Sequence, residues 1–401
     1  MNRPERTPLL PMLIIGTMYV VLGFSVGINA FFIPFVQEAF TVSTATSYLI
    51  MTATFSAYVL FGVPSGMIIK RFGYKGGIAI AFLIMALGFS LIAFSAEATS
   101  FALFLTALFI IGMGQTLLTG AINSYVTLLG PEDSAASRIC AMGIADKLAL
   151  AGASIVLGIF MDLAEVRLSD AITPFYVITG LLVVLAVLAW FSPLPEILAL
   201  GEDETAEESS GSVYANAKTS IFQFPHLLLG VVAIFFDVGV EIVALGSIVD
   251  YAKSLGLPSP ENYVWYPTIG MVTGYLLGFL LIPKTISQRT ALSICAVLGV
   301  ISTLILVTVP ARESVFLVGF LGFANSLLWP AIFPLALSDL GKFTKTGSSF
   351  LVMGIIGGAI LPLGFGYLAD HFSHQPAYLI CIPSYLFILY FALYGSKIRV
   401  R

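Results

Sequence analysis

A chain of 401 residues that is 58% hydrophobic and only 10% charged, with a mean hydropathy of +1.00, carries too much apolar surface for a soluble core, since soluble domains run at about a quarter charged residues. The net charge of −4 supplies no basic face for nucleic acid, and Cys140, Cys295 and Cys381 follow neither a metal-ligand nor a disulfide spacing. A lipid-spanning barrel would show segments of about ten residues alternating in polarity, whereas runs such as 76–92 and 181–190 do not alternate, so the expected class is an all-α membrane protein.

Twelve apolar stretches, each near the roughly 20 residues that cross a bilayer, occupy 11–36, 44–69, 76–96, 101–129, 138–163, 174–192, 224–251, 262–283, 290–309, 314–338, 347–369 and 376–395. The first is too long for a cleaved leader, carries Asn29 and Pro34 and has no small-residue cleavage site, so it is expected to remain as a span. After the sixth comes a sustained polar stretch, including Gly201-Glu-Asp-Glu-Thr-Ala-Glu-Glu-Ser-Ser-Gly211, which reads as a flexible acidic linker. The expected domains are a six-helix half over 1–192, a cytoplasmic linker over 193–222 and a second six-helix half over 223–401.

Lysine and arginine in short loops orient the chain. Arg3, Arg6, Lys70, Arg71, Lys75, Arg138, Lys218, Lys284, Arg289, Lys342, Lys345, Lys397, Arg399 and Arg401 fall on one side, against Arg167, Lys253 and Arg312 on the other. Both termini and the linker are then cytoplasmic, and the short loops suit a bacterial inner membrane. Gly152-Ala153 with Gly158 recurs as Gly358-Ala359 with Gly364, an offset of 206, and Asn123-Ser124 recurs as Asn325-Ser326, an offset of 202. Those echoes equate span 5 with span 11 and span 4 with span 10. A parallel repeat of this kind is the architecture of a major facilitator, with a cargo site near the midplane between the halves.

Polar groups inside a span are costly and mark candidate sites. In span 4, Gln115, Thr119 and Asn123 recur at i, i+4 and i+8 and share one face, offering neutral partners to a hydroxyl-rich cargo, or else glue between helices. Span 1 adds Ser25 and Asn29; span 2 adds Tyr48, Thr52 and Ser56. In span 10, Asn325 and Trp329 stand one turn apart, an amide for hydroxyls beside an aromatic face for pyranose C–H groups. Asp146 and Lys147 place opposite charges near the middle of span 5, where neither is buried cheaply without compensation; being consecutive, they point about 100° apart and need not bond each other. Asp237 and Glu241 are like charges on one face of span 7, of which Glu241 is taken as cavity-lining. Small-xxx-small pairs at Gly62 and Gly66, and at Gly274 and Gly278, suit close helix packing. No nucleophile with its base, no histidine cluster and no phosphate-binding glycine loop occurs, which argues against an enzyme, a cofactor and an ATP-driven pump.

The stretch Gly66-Met-Ile-Ile-Lys-Arg-Phe-Gly73-Tyr-Lys75 resembles the loop signature of the major facilitator superfamily, with Lys70 where the signature has an acid. Residues 329–341 and 345–358, with Val238-Gly-Val-Glu241 and Val126-Thr-Leu-Leu-Gly-Pro-Glu132, resemble the fucose/proton symporter family, whose members move fucose, glucose, galactose and related sugars. The family's two proton-coupling carboxylates fall at Ala30 and Thr119 here, and a family asparagine becomes Asp146.

The resulting expectation is a monomeric, cation-coupled uptake symporter for a sugar or glycoside, working in the lipid bilayer by alternating access. Asn29, Gln115, Asn123, Glu241, Asn325 and Trp329 bind cargo, Asp146 with Thr119 holds the coupling ion, and Lys147 and Asp237 act as charge partners. A carboxylate among neutral oxygens suits Na⁺ as a hard cation, so sodium stands slightly ahead of the proton, with uniport as a third course if Lys147 neutralises Asp146 permanently. An exporter of drugs or metabolites is the competing transport reading, and a non-transporting membrane sensor or scaffold the competing class.

Overall fold

A computed structural model describes residues 8–39, 49–160, 168–197 and 213–400. The acidic linker stretch 201–211, Tyr48 and Asp162 lie outside the described residues, as does the side chain of Asn29. Among those described, every regular element is helical, as lipid requires of a chain whose backbone must satisfy itself internally.

The spans, numbered in chain order, begin with α1 at Leu9–Ala39. Helix α2 comprises Leu49–Leu60 and the part of the run Gly62–Glu97 that precedes Gly73, and α3 is the part after it. Gly73 breaks that run with φ +72° and ψ 177°, a conformation that strains any residue with a Cβ. Helix α4 is Phe101–Leu128, α5 Ala135–Phe160 and α6 Leu168–Phe191. In the second half α7 is Pro225–Ser254, with proline at the first helical position where its missing N–H costs nothing. Helix α8 is Trp265–Leu281 and α9 Gln288–Thr308, the latter capped by Ser287 Oγ accepting from the Thr290 N–H at 3.1 Å.

Helix α10 comes in two pieces, Ala311–Asn325 and Leu328–Leu337. Pro330 explains the break: it offers no N–H to the Ser326 carbonyl and its ring crowds that oxygen. Helix α11 runs Thr344–Met353, tightens over Gly354–Ile356 and continues Gly357–Phe372. Helix α12 runs His374–Ala377, Tyr378–Ile380 and Cys381–Leu393, its tight turn falling where Pro383 removes a bond to the carbonyl of Leu379. Ten described segments are long and apolar enough to cross a membrane. The division of Gly62–Glu97 at Gly73, together with α5, brings these to the expected twelve, with ends within a few residues of the sequence reading.

The chain forms two compact units. One holds Pro8–Tyr125 and Ala145–Ile197; the other holds Val126–Ile144 and Leu198–Arg401, described from 213. The segment Val126–Ile144 therefore packs with the second half although it lies within the first half of the chain. There Ser137 Oγ donates to the Phe279 carbonyl at 2.9 Å, Gln288 Oε1 accepts from the Ala136 N–H at 3.3 Å, and Ser338 Oγ donates to Glu132 Oε1 at 2.6 Å.

Arg138, counted from sequence among the loop cations, is in fact buried, 4% exposed. Its guanidinium donates to the carbonyls of Val126, Thr127 and Pro131 and to Ser134 Oγ, at 2.6–2.9 Å. The carbonyls at a helix C-terminus have no intrahelical donor, so this cation is consumed in closing the end of α4.

Candidate functional site

In the first unit a polar lattice joins α1, α2 and α4. Gln115 donates through Nε2 to Ser25 Oγ at 2.8 Å and accepts from the Tyr58 hydroxyl at 3.4 Å. Asn123 accepts through Oδ1 from the Tyr19 hydroxyl at 2.7 Å and donates through Nδ2 to the Thr119 carbonyl at 2.9 Å. The face predicted on α4 is thus real, but its amides already have partners inside the bundle: Gln115 and Asn123 are each 1% exposed and Thr119 is 5%. In this conformation they hold helices together, the alternative left open by the sequence. Two members, Tyr19 and Tyr58, were not singled out from the sequence, although a buried tyrosine in a span normally finds a partner for its hydroxyl. Thr52 is exposed, and Ser56 donates to its own helix at the Ala53 carbonyl.

The 100° offset left the pairing of Asp146, on α5, with Lys147 open, and the two do meet: Lys147 Nζ is 3.3 Å from Asp146 Oδ2, both side chains being more than four-fifths buried. A long lysine stem folds back easily, whereas an unpaired charge at this depth is expensive. Helix α1 approaches α5 closely here, because a Cβ on Gly23 would overlap the Asp146 carbonyl. Gly23→Ala is therefore expected to cost about 1–3 kcal/mol by overpacking and to displace Asp146, seen as a lower melting temperature together with weakened gradient-driven transport.

The second unit holds a comparable arrangement. Asn325 of α10, 1% exposed, accepts through Oδ1 from the Tyr385 hydroxyl of α12 at 2.7 Å and donates through Nδ2 to the Val240 carbonyl of α7 at 3.2 Å. Trp329 follows the break in α10, half-buried and stacked on Phe333 with ring centroids 5.5 Å apart. On α7, Asp237 is fully buried while Glu241, one turn on, is half-buried. Asp250 is exposed.

The loop between α2 and α3 contains a carboxylate that the sequence motif lacks. Lys70 stands exposed, but Glu196, beyond α6, accepts from the Tyr74 N–H through Oε1 at 2.9 Å and fills the space that a side chain at Gly73 would occupy. Lys75 reaches the Ser192 carbonyl at 2.7 Å and Tyr125 the Pro195 carbonyl at 2.8 Å. A carboxylate at the first N–H of α3 complements the helix dipole. Only folding brings a residue 122 positions away to this turn.

A sequence profile described as Major Facilitator Superfamily matches residues 15–355. A glucose/galactose transporter of Brucella abortus is 32% identical over 390 residues, covering 95% of this chain and 92% of that protein. The L-fucose-proton symporter of Escherichia coli K12 is 27% identical over 422 residues, covering 98% and 94%. The crystal structure of the major facilitator transporter FucP in the outward conformation superposes with a TM-score of 0.81 at 25% identity, over 97% of this chain and 99% of that one.

The sodium preference does not survive these findings. The relatives whose names give a coupling ion are proton symporters, and the ammonium of Lys147 already stands where a cation on Asp146 would be held.

Proposed function

Because the chain belongs to the major facilitator superfamily and, within it, to the sugar transporters related to the fucose–proton symporter, we propose that it is a proton-coupled uptake symporter for a hexose or related sugar. It acts as a monomer in a bacterial inner membrane, with both termini cytoplasmic. The observation that carries this reading is the largely buried Asp146–Lys147 pair on α5, where α1 approaches closely at Gly23. A proton added to Asp146 removes the anion that Lys147 neutralises, so protonation and the packing of α1 and α5 depend on each other. Neutral hydroxyls and amides in the same unit suit a cargo of hydroxyls rather than an apolar drug.

The half-buried Trp329 and Glu241 are assigned to sugar, Trp329 supplying an aromatic face and Glu241 an acceptor for hydroxyl protons; Asn29 is added as a further amide from its place in the sequence. Gln115, Asn123 and Asn325 act by positioning tyrosines, and exchange those partners for sugar only if the lattice opens. Trp329→Ala removes a stacking surface worth about 1.4 kcal/mol, so the KM for sugar is expected to rise roughly tenfold; unchanged affinity would refute the role.

The test is uptake of labelled D-glucose, D-galactose and L-fucose into proteoliposomes under an imposed pH gradient or an imposed sodium gradient at uniform pH. Accumulation of one of them under the pH gradient alone is the expected result. Accumulation only with sodium, or none with any sugar, would overturn the reading.

A further inference from the structure

The turn from α2 into α3 carries three cations, Lys70, Arg71 and Lys75. Lys70 and Arg71 are exposed, as is Phe72 beside them, and the Arg71 guanidinium stands over the Phe72 ring, 5.5 Å from its centroid. A second aromatic reaches the same spot from the end of α6. A Cβ built on Gly76 would lie 2.8 Å from the Cβ of Phe72 and 3.7 Å from the indole of Trp190. Gly76 is buried while both rings are about half exposed, so the two rings flank a stretch of backbone that has no side chain of its own. Lys75 closes the arrangement, its Nζ donating to the Ser192 carbonyl just past α6 at 2.7 Å. Against these three cations the turn receives one carboxylate, Glu196, which accepts from the Tyr74 N–H.

Positive charge at a short turn needs no ligand, since loop cations serve to orient a membrane chain. The corresponding turn of the second half, from α8 into α9, shows that minimum: between Leu281 and Cys295 it holds Lys284 and Arg289 and no aromatic residue. The first-half turn adds two exposed rings, from different helices, that meet at one glycine.

We propose that this cluster binds an anionic phospholipid of the surrounding bilayer, with the phosphate held by Lys70 and Arg71 and the glycerol and upper acyl region lying against Phe72 and Trp190. Arginine presents paired N–H donors that fit a phosphate, and it does so while stacked on an aromatic face. An ammonium has three donors, so Lys75 serves a headgroup oxygen without leaving Ser192. Tryptophan suits the boundary between headgroup and chain, where its ring is in apolar surroundings and its N–H meets polar oxygens. Basic pockets between spans take anionic headgroups on the same grounds. A lipid held there ties α2, α3 and α6 together at one end of the bundle. The site uses neither cargo nor coupling ion, so it stands or falls independently of the symport reading.

The experiment uses the full-length chain with Trp265→Phe and Trp329→Phe, which leave Trp190 as the remaining one of three tryptophans. The protein is reconstituted in phosphatidylcholine bilayers containing an equal fraction of either phosphatidylglycerol or phosphatidylcholine with brominated acyl chains, since bromine quenches an indole only at near contact. Brominated phosphatidylglycerol is expected to quench Trp190 at least about threefold more effectively. Lys70→Gln with Arg71→Gln should abolish that preference, whereas Lys284→Gln with Lys397→Gln, an equal loss of charge elsewhere, should leave it. Equal quenching by the two lipids overturns the proposal, and is the outcome if the acidic stretch 201–211 occupies the cations instead. A preference that survives the Lys70 and Arg71 substitutions, or that the Lys284 and Lys397 substitutions remove as well, overturns it too. If the single-tryptophan protein does not fold, the melting temperature of the wild-type protein in micelles decides. Phosphatidylglycerol should raise it above the value in phosphatidylcholine by at least about 3 °C, and should not do so in the Lys70→Gln, Arg71→Gln protein; no rise in wild type, or an equal rise in both, overturns the inference.

Discussion

Asp146→Asn is expected to abolish pH-gradient-driven accumulation of sugar, a loss of at least tenfold, while leaving counterflow. The substitution keeps the shape of the side chain but removes the exchangeable charge, so binding and reorientation survive while coupling does not. A second consequence makes the result diagnostic. Lys147, 3.3 Å from Asp146 and 13% exposed, loses its counter-charge, and removal of one member of a buried pair typically costs about 3–5 kcal/mol because the other is left uncompensated. The single variant should therefore also be less stable, and Asp146→Asn combined with Lys147→Met should regain stability without regaining accumulation. Thermal unfolding and uptake, measured on the same preparations, separate the two effects. Accumulation at wild-type levels in Asp146→Asn would remove Asp146 from the coupling machinery.

The second large effect is expected at the start of α5. A Cβ built on Gly278 would lie 2.7 Å from the sulfur of Cys140, near the separation of about 3 Å between a Cβ and the opposite sulfur of a disulfide. With Cys295 and Cys381 replaced by alanine, Gly278→Cys should form a disulfide with Cys140 on oxidation. The segment Val126–Ile144 that carries Cys140 packs in one compact unit with Gly278, although by sequence it is assigned to the first six-helix half; movement of that half against the second would have to undo this packing. The bond is expected to stop transport almost completely, and reduction to restore it; the same variant carrying Cys140→Ser should ignore oxidant. Loss of maleimide labelling reports bond formation independently of transport. Undiminished transport by the oxidised, bonded protein would show that α5 and α8 stay together through the cycle.

Much of this protein was legible from composition and spacing. Fifty-eight per cent apolar residues with 10% charged leave no alternative to membrane helices, and the element ends agree because a span is fixed by bilayer thickness and punctuated by proline, glycine and charge. The repeat at Asn123 and Asn325 pointed to real equivalence, since both amides are buried and both accept from a tyrosine. The i, i+4 spacing on α4 correctly placed Gln115, Thr119 and Asn123 on one face. What that face meets was not legible, because the partners Ser25, Tyr58 and Tyr19 lie on other helices and their distance is a property of packing.

The same distinction accounts for the readings that changed. Periodicity gives the direction in which Asp146 and Lys147 leave the helix but not the reach of a flexible lysine stem, so their pairing appears only in three dimensions. Charge counting placed Arg138 in a loop because sequence cannot show that the open carbonyls at the end of α4 would draw it inside. Glu196 could not be matched to the acid missing at Lys70, since the chain between them must fold before the Tyr74 N–H meets a carboxylate. Sequence alone determined that this chain lives in lipid, in two repeated halves, with hydroxyls, amides and a few carboxyls at membrane depth, because the bilayer tests every residue by its own polarity. Only tertiary structure decided which of those polar groups satisfy one another and which retain access to cargo and protons, because that depends on which helices touch.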